Sequence, residues 1–122
     1  MLNNVLLVGR IAGEIKLEEL ENGGKIARLT LAIPRSYKNE EGIYETDFVD
    51  CVLWHTVAET TKEYCRKGDI VGVKGRIQTR NIENENGEKR KITEIISEKV
   101  TFLSSKKNEE WWKWIKFMIM EG

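Results

Sequence analysis

The sequence predicts an all-β domain, a five-stranded Greek-key barrel with one helix between its third and fourth strands. Three observations lead to this prediction. Five segments have the period of a β-strand, a single segment has helical spacing, and short polar turns separate them. At 122 residues the chain has the size of one domain that buries a core without help from disulfides or metal ions.

The first strand is expected over Val5–Ile11 (VLLVGRI), which is apolar on both faces as far as Arg10. A strand with two apolar faces is buried on both sides. In a domain this small, either a partner subunit or the chain's own loops must cover the second face. The acidic stretch that follows, Glu14–Glu21, is predicted to be solvated.

The second strand is expected over Lys25–Ile33, where alternate residues form an apolar face. Pro34 cannot donate a hydrogen bond to a sheet ladder, so we expect the pairing to end there. Residues 35–45 are then predicted to form a polar hairpin loop that projects from the sheet, with Tyr37 and Lys38 near its start.

The third strand, Thr46–Trp54, has two unlike faces, because successive side chains of a strand point to opposite sides. One face is wholly apolar and is predicted to be core: Val49, Cys51 and Leu53. The other face presents Phe48 and Trp54 beside Asp50 and Val52, and it is predicted not to be fully buried. Aromatic rings on a half-open sheet face are able to stack unpaired bases, since every base has a π-face. The alternative is that both rings only cap the rim of the barrel.

A helix is expected over Thr56–Lys67, because the apolar residues of this segment recur at helical spacing. Thr56 and Glu59 fit a capping box, which satisfies the free amides of a helix start. Two cations followed by Gly68 fit the end of the helix, where the dipole favours positive charge and glycine stops the turn.

The fourth strand, Ile70–Ile82, carries the most informative charge pattern of the chain. Its inward positions are apolar or glycine, and its opposite face holds a stripe of cations: Lys74, Arg76 and Arg80. Cations in such a stripe can bind phosphates, although charged side chains often form only a solvated edge. Asn86–Gly87 is a strong hairpin signal, and Lys89–Leu103 is the returning fifth strand. Because its alternation is irregular, we expect a bulge or an edge strand there.

Composition limits the classes of function. The 20 Lys and Arg residues balance 20 Asp and Glu residues, so a nucleic-acid surface would depend on where the charges are placed. Cys51 and Cys65 are expected to be free, buried thiols of a reducing compartment. The sequence shows neither a signal peptide nor a bilayer-spanning stretch, so we expect a cytoplasmic protein without a membrane partner.

The sequence offers no catalytic or metal-binding constellation. His55 is the only histidine, and of the nearby acids Asp47 shares its strand parity while Asp50 does not. No nucleophile or second base is placed with them. Neither a Cys–His spacing typical of zinc nor a glycine-rich phosphate loop occurs. We therefore expect a protein that is not an enzyme and that needs no cofactor or metal.

The order strand, strand, strand, helix, strand, strand is typical of a barrel of the OB type, which binds oligonucleotides or oligosaccharides on its middle strands. The residues also resemble a known family. The segments MLNNVLLVGRI, LTLAIPRSYKNEEG, DFVDCVLW, AETTKEYCRKGD and VGVKGRIQTRN follow one another as in bacterial single-stranded-DNA-binding protein (SSB), from Met1 to about Leu103. The resemblance implies an OB fold, a homotetramer built partly through the first strand, and sequence-tolerant wrapping of single-stranded DNA. It also implies roles in DNA replication, recombination and repair, at the nucleoid.

The resemblance assigns roles to particular side chains. The base-stacking aromatics of the family fall on Tyr37, Phe48 and Trp54. Where the family usually has a further Trp or Tyr this chain has Ile82, and Asp50 stands where the family is usually neutral or basic. Basic positions that match the family are Lys67 and Arg80. Placement on faces and loops adds four further cations to the expected DNA-binding set: Arg10, Lys38, Lys74 and Arg76.

We expect residues 1–104 to form the DNA-binding domain and residues 105–122 an atypical apolar tail. The tail segment Trp111–Met120 (WWKWIKFMIM) has three interpretations: extra DNA contacts, an interface with a membrane surface or partner groove, or no function. The linker and acidic tip with which SSB chains usually end do not occur in this sequence, so the resemblance does not carry over their recruitment of replication and repair proteins. These departures leave an alternative function, an SSB-like interaction module of a replication or mobile-element complex that binds DNA weakly.

Overall fold

The computed structural model describes residues 1–105 of the chain. The predicted apolar tail, Trp111–Met120, lies outside the described residues. Within residues 1–105 the chain forms six strands and one helix, in the order β1 (Val5–Ile11), β2 (Lys16–Glu19), β3 (Lys25–Lys38), β4 (Tyr44–Trp54), α1 (His55–Tyr64), β5 (Asp69–Glu83) and β6 (Lys89–Ser105).

Five of these strands close into a barrel. They are hydrogen-bonded in the order β1-β5-β6-β4-β3, and β3 returns to β1 where Ala32 lies opposite Arg10 and Leu31 opposite Ile11. Strands β4 and β6 run parallel, while the other neighbours in this ring are antiparallel. Parallel strands need a crossover connection, and α1 together with β5 supplies it. The predicted all-β barrel, with its single helix after the third barrel strand, is confirmed.

The sixth strand, β2, was not expected. It forms in the acidic stretch that was predicted to be solvated, and it pairs with β3 from Lys16 opposite Arg28 to Glu19 opposite Lys25. All four of its residues are exposed. Its own side chains give no strand signal, so the free edge of β3 determines its conformation.

The barrel interior is filled by one side of each strand. The most deeply buried large side chains are Ile11, Leu31, Leu53, Val71, Val73 and Cys51. Burying an aliphatic side chain of this size stabilises the fold by about 1.5–3 kcal/mol. Within residues 1–105, where both cysteines lie, Cys51 and Cys65 are buried free thiols, as predicted, and burial raises the pKa of Cys51 to about 12.

A smaller apolar cluster lies on the outside of the sheet. Ile26, Val52 and Ile96 are buried there, with Leu20 packed against them. Val52 was predicted to lie on the open face of its strand, and this prediction was wrong. Its neighbours on both adjacent strands, Arg28 and Ile96, cover it from either side. The outer face between Phe48 and Trp54 is therefore partly closed.

The hairpin between β3 and β4 corrects two predictions. Pairing does not end at Pro34, which lies opposite Thr46, and β3 continues with a register shift to Lys38 opposite Tyr44. Beyond Ala32 the described pairing of β3 with β1 stops, so a residue without an N–H is tolerated on that edge. Tyr37 and Lys38 consequently lie on a strand and not in a loop.

The connection that remains between β3 and β4 is a short turn built around Asn39. The Asn39 side-chain oxygen accepts hydrogen bonds from the backbone N–H groups of Glu41 and Ile43, at 2.9 and 3.0 Å. Gly42 has a φ of +79°, a left-handed conformation that favours glycine. The turn is therefore tight. The segment that projects from the barrel is a hairpin of two paired strands and not a flexible loop.

The helix is shorter than predicted and is not capped as predicted. It runs over His55–Tyr64, its N-cap is Trp54, and within the described residues no side chain caps that end. Glu59, expected in a capping box, instead forms an ion pair with Lys25 at 2.9 Å. The predicted cationic end is present in another form, because Arg66 Nη1 donates to the Glu63 carbonyl at 3.0 Å.

Strands β5 and β6 form a long hairpin that turns at residues 84–88, where Gly87 has a φ of +79°. The predicted bulge is confirmed by two register shifts, between Ile70 and Val71 and between Lys74 and Gly75. Gly75 packs so closely against β6 that a Cβ atom would lie 2.0 Å from the Ile96 carbonyl oxygen. The second bulge therefore requires a residue without a side chain.

Replacing Gly75 with alanine is expected to destabilise the fold by about 1–3 kcal/mol or more, because backbone atoms of β6 must move to admit the methyl group. Urea unfolding monitored by circular dichroism measures the change. Gly13→Ala is the matched control, since a Cβ atom at Gly13 would meet nothing within 4 Å. Equal unfolding midpoints for both variants would contradict the close packing at this bulge.

Candidate nucleic-acid interface

The strand register places the predicted aromatic and basic residues on one outer face of the barrel. Val52, which shares its side of β4 with Phe48 and Trp54, lies opposite Arg28 on β3 and Ile96 on β6. Ile96 in turn lies opposite Arg76 on β5. Register partners on neighbouring strands share a sheet face, and alternate residues of one strand do so as well. Phe48, Trp54, Arg76 and Arg80 therefore face the same way.

The two aromatic rings on this face differ in how far they are covered. Phe48 is 67% exposed, and its register partner on β3 is the small residue Ala32. Trp54 is 38% exposed, lies opposite Ile26, and its ring centroid is 6.1 Å from that of His55 at an angle of 45°. The ring of Phe48 is therefore open to solvent, whereas the ring of Trp54 is partly covered by its neighbours.

Arg10 lies in the same cross-strand row as Phe48, and Lys67 immediately precedes the residue that Arg10 binds. Phe48, Ala32 and Arg10 form a row across β4, β3 and β1, so Phe48 and Arg10 are about 10 Å apart at strand spacing. Arg10 Nη1 donates a hydrogen bond of 2.7 Å to the Gly68 carbonyl, and Gly68 N–H donates one of 2.8 Å to Ile11. These bonds bring the exposed Lys67 to the same end of the barrel.

The middle of the face has mixed charge. Glu94, whose side chain is nearly buried, accepts a hydrogen bond of 2.8 Å from Arg80 Nε and lies 3.9 Å from Arg28 Nη1. Asp50 accepts a bond of 3.3 Å from the Thr30 hydroxyl. These residues line a shallow cavity of about 330 Å³. Two acids therefore offset part of the positive charge, and Glu94 also fixes the position of Arg80.

The cationic stripe predicted on β5 divides between two sides of the barrel. Arg76 and Arg80 lie opposite β6 residues that neighbour β4, and Arg76 Nη1 donates a bond of 2.8 Å to Gln78. Lys74 lies at the bulge, opposite Leu6 of β1 on one side and Lys99 of β6 on the other. The structure thus brings two of the three cations toward the aromatic face and places Lys74 nearer to β1.

The tip of the β3–β4 hairpin carries an aromatic residue on each side. Lys38 lies opposite Tyr44, with its ammonium 5.6 Å from the centre of the Tyr44 ring, so these two share a side. Tyr44 shares this side with Phe48, because both are even positions of β4. Adjacent residues of a strand point to opposite sides, so Tyr37 lies on the side of Arg35, and it is close enough to contribute to the raised pKa of that guanidinium. The three predicted stacking aromatics are therefore not all on one face.

An ion-pair network holds the Tyr37 side of this hairpin. Arg35 Nη2 is 2.9 Å from Asp47 Oδ1, and Arg35 Nη1 is 2.5 Å from Glu45 Oε2. The hydrogen bond from Arg35 lowers the pKa of the Asp47 carboxyl, and Asp47 raises the pKa of the Arg35 guanidinium. Asp47 is exposed and Arg35 half-buried, so the network orients the hairpin more than it stabilises the whole fold.

Sequence reasoning missed three side chains of this surface: Arg28, Tyr44 and Glu94. Tyr44 was assigned to a loop, although strand parity extended backward from Phe48 would have placed it on the same face. Arg28 alternates with the apolar face of its strand, but no local pattern shows that it shares Glu94 with Arg80. Only the pairing of β3, β4, β6 and β5 brings Glu94 between the two arginines.

Comparison with known proteins identifies the family. Residues 2–103 match the model of the Single-strand binding protein family. The chain belongs to this family. It is 46% identical over 110 residues to "Single-stranded DNA-binding protein B" of Bacillus subtilis, covering 90% of this chain and 97% of that protein. It is 44% identical over 110 residues to "Single-stranded DNA-binding protein" of Enterococcus faecalis, covering 90% of this chain but 58% of that longer protein.

The fold is also that of a solved family member. "Plasmodium falciparum SSB complex with ssDNA" superposes with a TM-score of 0.77 at 30% sequence identity, over 85% of this chain and 96% of that chain. The resemblance read from the sequence segments is thereby confirmed. Among residues 1–105 no helix is long and apolar enough to cross a membrane. In the same part of the chain, no group of three or more His, Cys, Asp or Glu residues is placed to hold a metal ion.

Replacing Asp47 with asparagine is expected to cause a small loss of stability near neutral pH, because Arg35 loses its principal partner. The Asp47 pKa is lowered by folding, so its contribution is present above the unfolded carboxyl pKa of about 3.9 and is lost as pH falls through the folded value. Urea unfolding midpoints at neutral and acid pH measure the effect.

The stability difference between the wild type and Asp47→Asn should therefore shrink as the solution is acidified below about pH 4. Glu40→Gln, which removes an exposed charge from the turn of the same hairpin, serves as the control. A difference that stays constant from neutral to acid pH would contradict the role of this ion pair.

Proposed function

We propose that this chain binds single-stranded DNA without sequence readout, by stacking bases on exposed aromatic rings and holding phosphates with flanking cations. The observation that carries the proposal is the single outer face shared by Phe48, Trp54, Arg76 and Arg80. Its curated relatives are named for single-stranded DNA, and the solved neighbour is a complex with it. Coating exposed strands in this way would protect them during replication, recombination and repair.

Stacking is expected to contribute more to binding than charge does. The formal net charge is zero, and Glu94 and Asp50 lie among the arginines of the face. A base stacked on an aromatic side chain contributes about 1–3 kcal/mol, and every base has a ring to offer. Phosphate contacts by the cations near the ends of the face, including Arg10 and Lys67, then guide the backbone. Ile82 gives no π-face, so the β5–β6 hairpin contributes less to stacking.

Tyr37 and Lys38 extend the proposed surface along the β3–β4 hairpin, and Lys74 extends it toward β1. Tyr37 is exposed on the side of the hairpin away from Phe48. A strand that wraps around the barrel would meet both sides of such a hairpin. The proposal therefore includes all nine predicted DNA-binding residues and assigns the central role to Phe48 and Trp54.

The comparisons do not favour the alternative function, an interaction module with weak DNA binding. Relatives that match 90% of this chain carry the DNA-binding name, and the solved neighbour is described with DNA bound. We propose that the protein acts in the cytoplasm, at the nucleoid, by binding alone and without catalysis. We further propose that residues 1–104 suffice to form the binding domain.

We also propose a homotetramer assembled partly through β1. Leu6 is exposed and Val8 half-buried on the outward side of this strand, and both lie opposite β5 residues that leave them open. Apolar side chains on the outer face of a strand that the fold itself leaves open are suited to contact another subunit. A second copy of the same strand, paired about a twofold axis, would cover them.

The proposed binding is tested by titrating the full chain against fluorescein-labelled oligo-dT and a duplex of equal length over a range of salt concentrations. Fluorescence anisotropy reports the affinity. We expect clear preference for the single strand, and a logarithmic salt slope of about −0.7 for each phosphate contact. Equal binding of duplex and single strand would contradict the proposal.

Variants separate stacking from charge in the same titration. Phe48→Ala and Trp54→Ala are each expected to weaken oligo-dT binding by about 5- to 150-fold while leaving the salt slope unchanged, since each removes a stacked base worth about 1–3 kcal/mol. Tyr64→Ala removes a ring as exposed as that of Phe48 from the last turn of α1, outside the sheet, and should bind like the wild type. Unchanged affinity in both sheet variants would refute the stacking role.

The oligomer is tested by multi-angle light scattering of the full chain, whose mass is 14.2 kDa. The wild type should have about four times this mass, and Leu6→Asp should shift the population toward smaller species because it places a charge in an apolar interface. Leu17→Asp is the matched control, because Leu17 is 37% exposed and Leu6 38% exposed, but Leu17 lies on β2. A wild type of monomeric mass would exclude the tetramer.

A further inference from the structure

We propose that Tyr44 is an additional base-stacking residue and that Lys38 binds the phosphate next to that base. This inference rests on the proposed function, because it extends the same DNA-binding face to the outer end of β4. Tyr44 is 55% exposed and shares its side of the strand with Phe48 and Trp54. The three rings thus form a row along one strand.

Spacing along the strand supports a continuous track. Tyr44 is four residues from Phe48, which corresponds to about 13 Å at the rise of a β-strand, and Trp54 lies six residues beyond Phe48, about 20 Å further. The positions between Tyr44 and Phe48 on this face are occupied by Thr46, with Pro34 and Ala32 opposite on β3. These side chains are small, so the surface between the two rings is not obstructed.

Together, Tyr44 and Lys38 provide the two parts of a nucleotide-binding site, a ring for the base and a cation for the phosphate. The ammonium lies 5.6 Å from the ring centre, within the range of a cation–π interaction, which orients the ring without burying it. A ring has two faces, so a base can stack on the one that the lysine leaves free. The ammonium remains exposed on the other face of the ring, where it can pair with a phosphate.

The Tyr44 side chain is carried by a well-supported strand. Its backbone pairs with Lys38, the Asn39 turn closes the hairpin, and Arg35 binds Glu45 and Asp47 on the opposite side. Phe48 and Tyr44 are therefore carried by the same well-ordered strand. Its backbone has little conformational freedom to lose when DNA binds. Ile43 has the same exposure but lies in the turn and offers no π-face.

The test uses the full chain and oligo-dT of about 16 nucleotides, the upper range of site sizes for one OB fold. Tyr44→Ala should weaken binding by about fivefold or more, through loss of one stacked base. Tyr44→Phe, which keeps the ring, should bind nearly as well as the wild type. Lys38→Met should lower the magnitude of the salt slope by about 0.7, as expected for one phosphate contact. Ile43→Ala is the control and should show no change.

Photo-cross-linking of the wild type supplies evidence that needs no variant. An oligonucleotide with 5-iododeoxyuridine should cross-link to Tyr44 itself, located by fragmenting the peptide that spans residues 39–62, because this peptide also carries Phe48 and Trp54. Wild-type affinity in Tyr44→Ala together with no such cross-link would overturn the inference, and so would Tyr44→Phe binding as weakly as Tyr44→Ala. If Phe48→Ala and Trp54→Ala still lose affinity in that case, the proposed function stands and only this extension fails. If none of the three variants loses affinity, the proposed function itself fails.

Discussion

The closure of the barrel is the constraint on which the rest of this structure depends. When β3 returns to β1, one side of every barrel strand is committed to the interior, and the alternate residues must face outward. Cys51 and Leu53 are buried for this reason, and Phe48 and Trp54 are presented to solvent by the same alternation. The proposed binding face is thus a consequence of core formation. It cannot shift by one residue without exposing the core.

The charged residues of this face hold side chains in position more than they attract DNA. Glu94 lies between Arg28 and Arg80 and is nearly buried, so it fixes the guanidinium of Arg80 while cancelling part of its charge. A chain of zero net charge does not attract DNA strongly from a distance. In the proposed binding mode, selectivity for unpaired strands comes from the exposed rings, which a duplex cannot use because its bases are already stacked.

In the β3–β4 hairpin, strand pairing overrides local sequence signals that are typical of a loop. Pro34 and the polar residues after it are typical of a loop, yet the strands remain paired as far as Lys38 and Tyr44. The β-ladder loses a hydrogen bond at Pro34. The ion pairs of Arg35 and the turn at Asn39 supply other hydrogen bonds in its place. The hairpin therefore places Tyr37 and Tyr44 on opposite sides of a firm support.

Much of this protein could be predicted from its sequence, because alternation in β1, β4 and β5 determines which side of a strand is core. That alternation placed Phe48, Trp54, Arg76 and Arg80 outward, and helical spacing located α1 to within a few residues. It could not reveal β2, whose exposed residues form a strand only because the edge of β3 is free. Nor could it reveal the burial of Val52 or the Glu94 ion pairs, since these depend on which strands become neighbours. Side-chain period is a local property of the chain, whereas the neighbours of a strand are decided only when residues distant in sequence meet in the closed barrel.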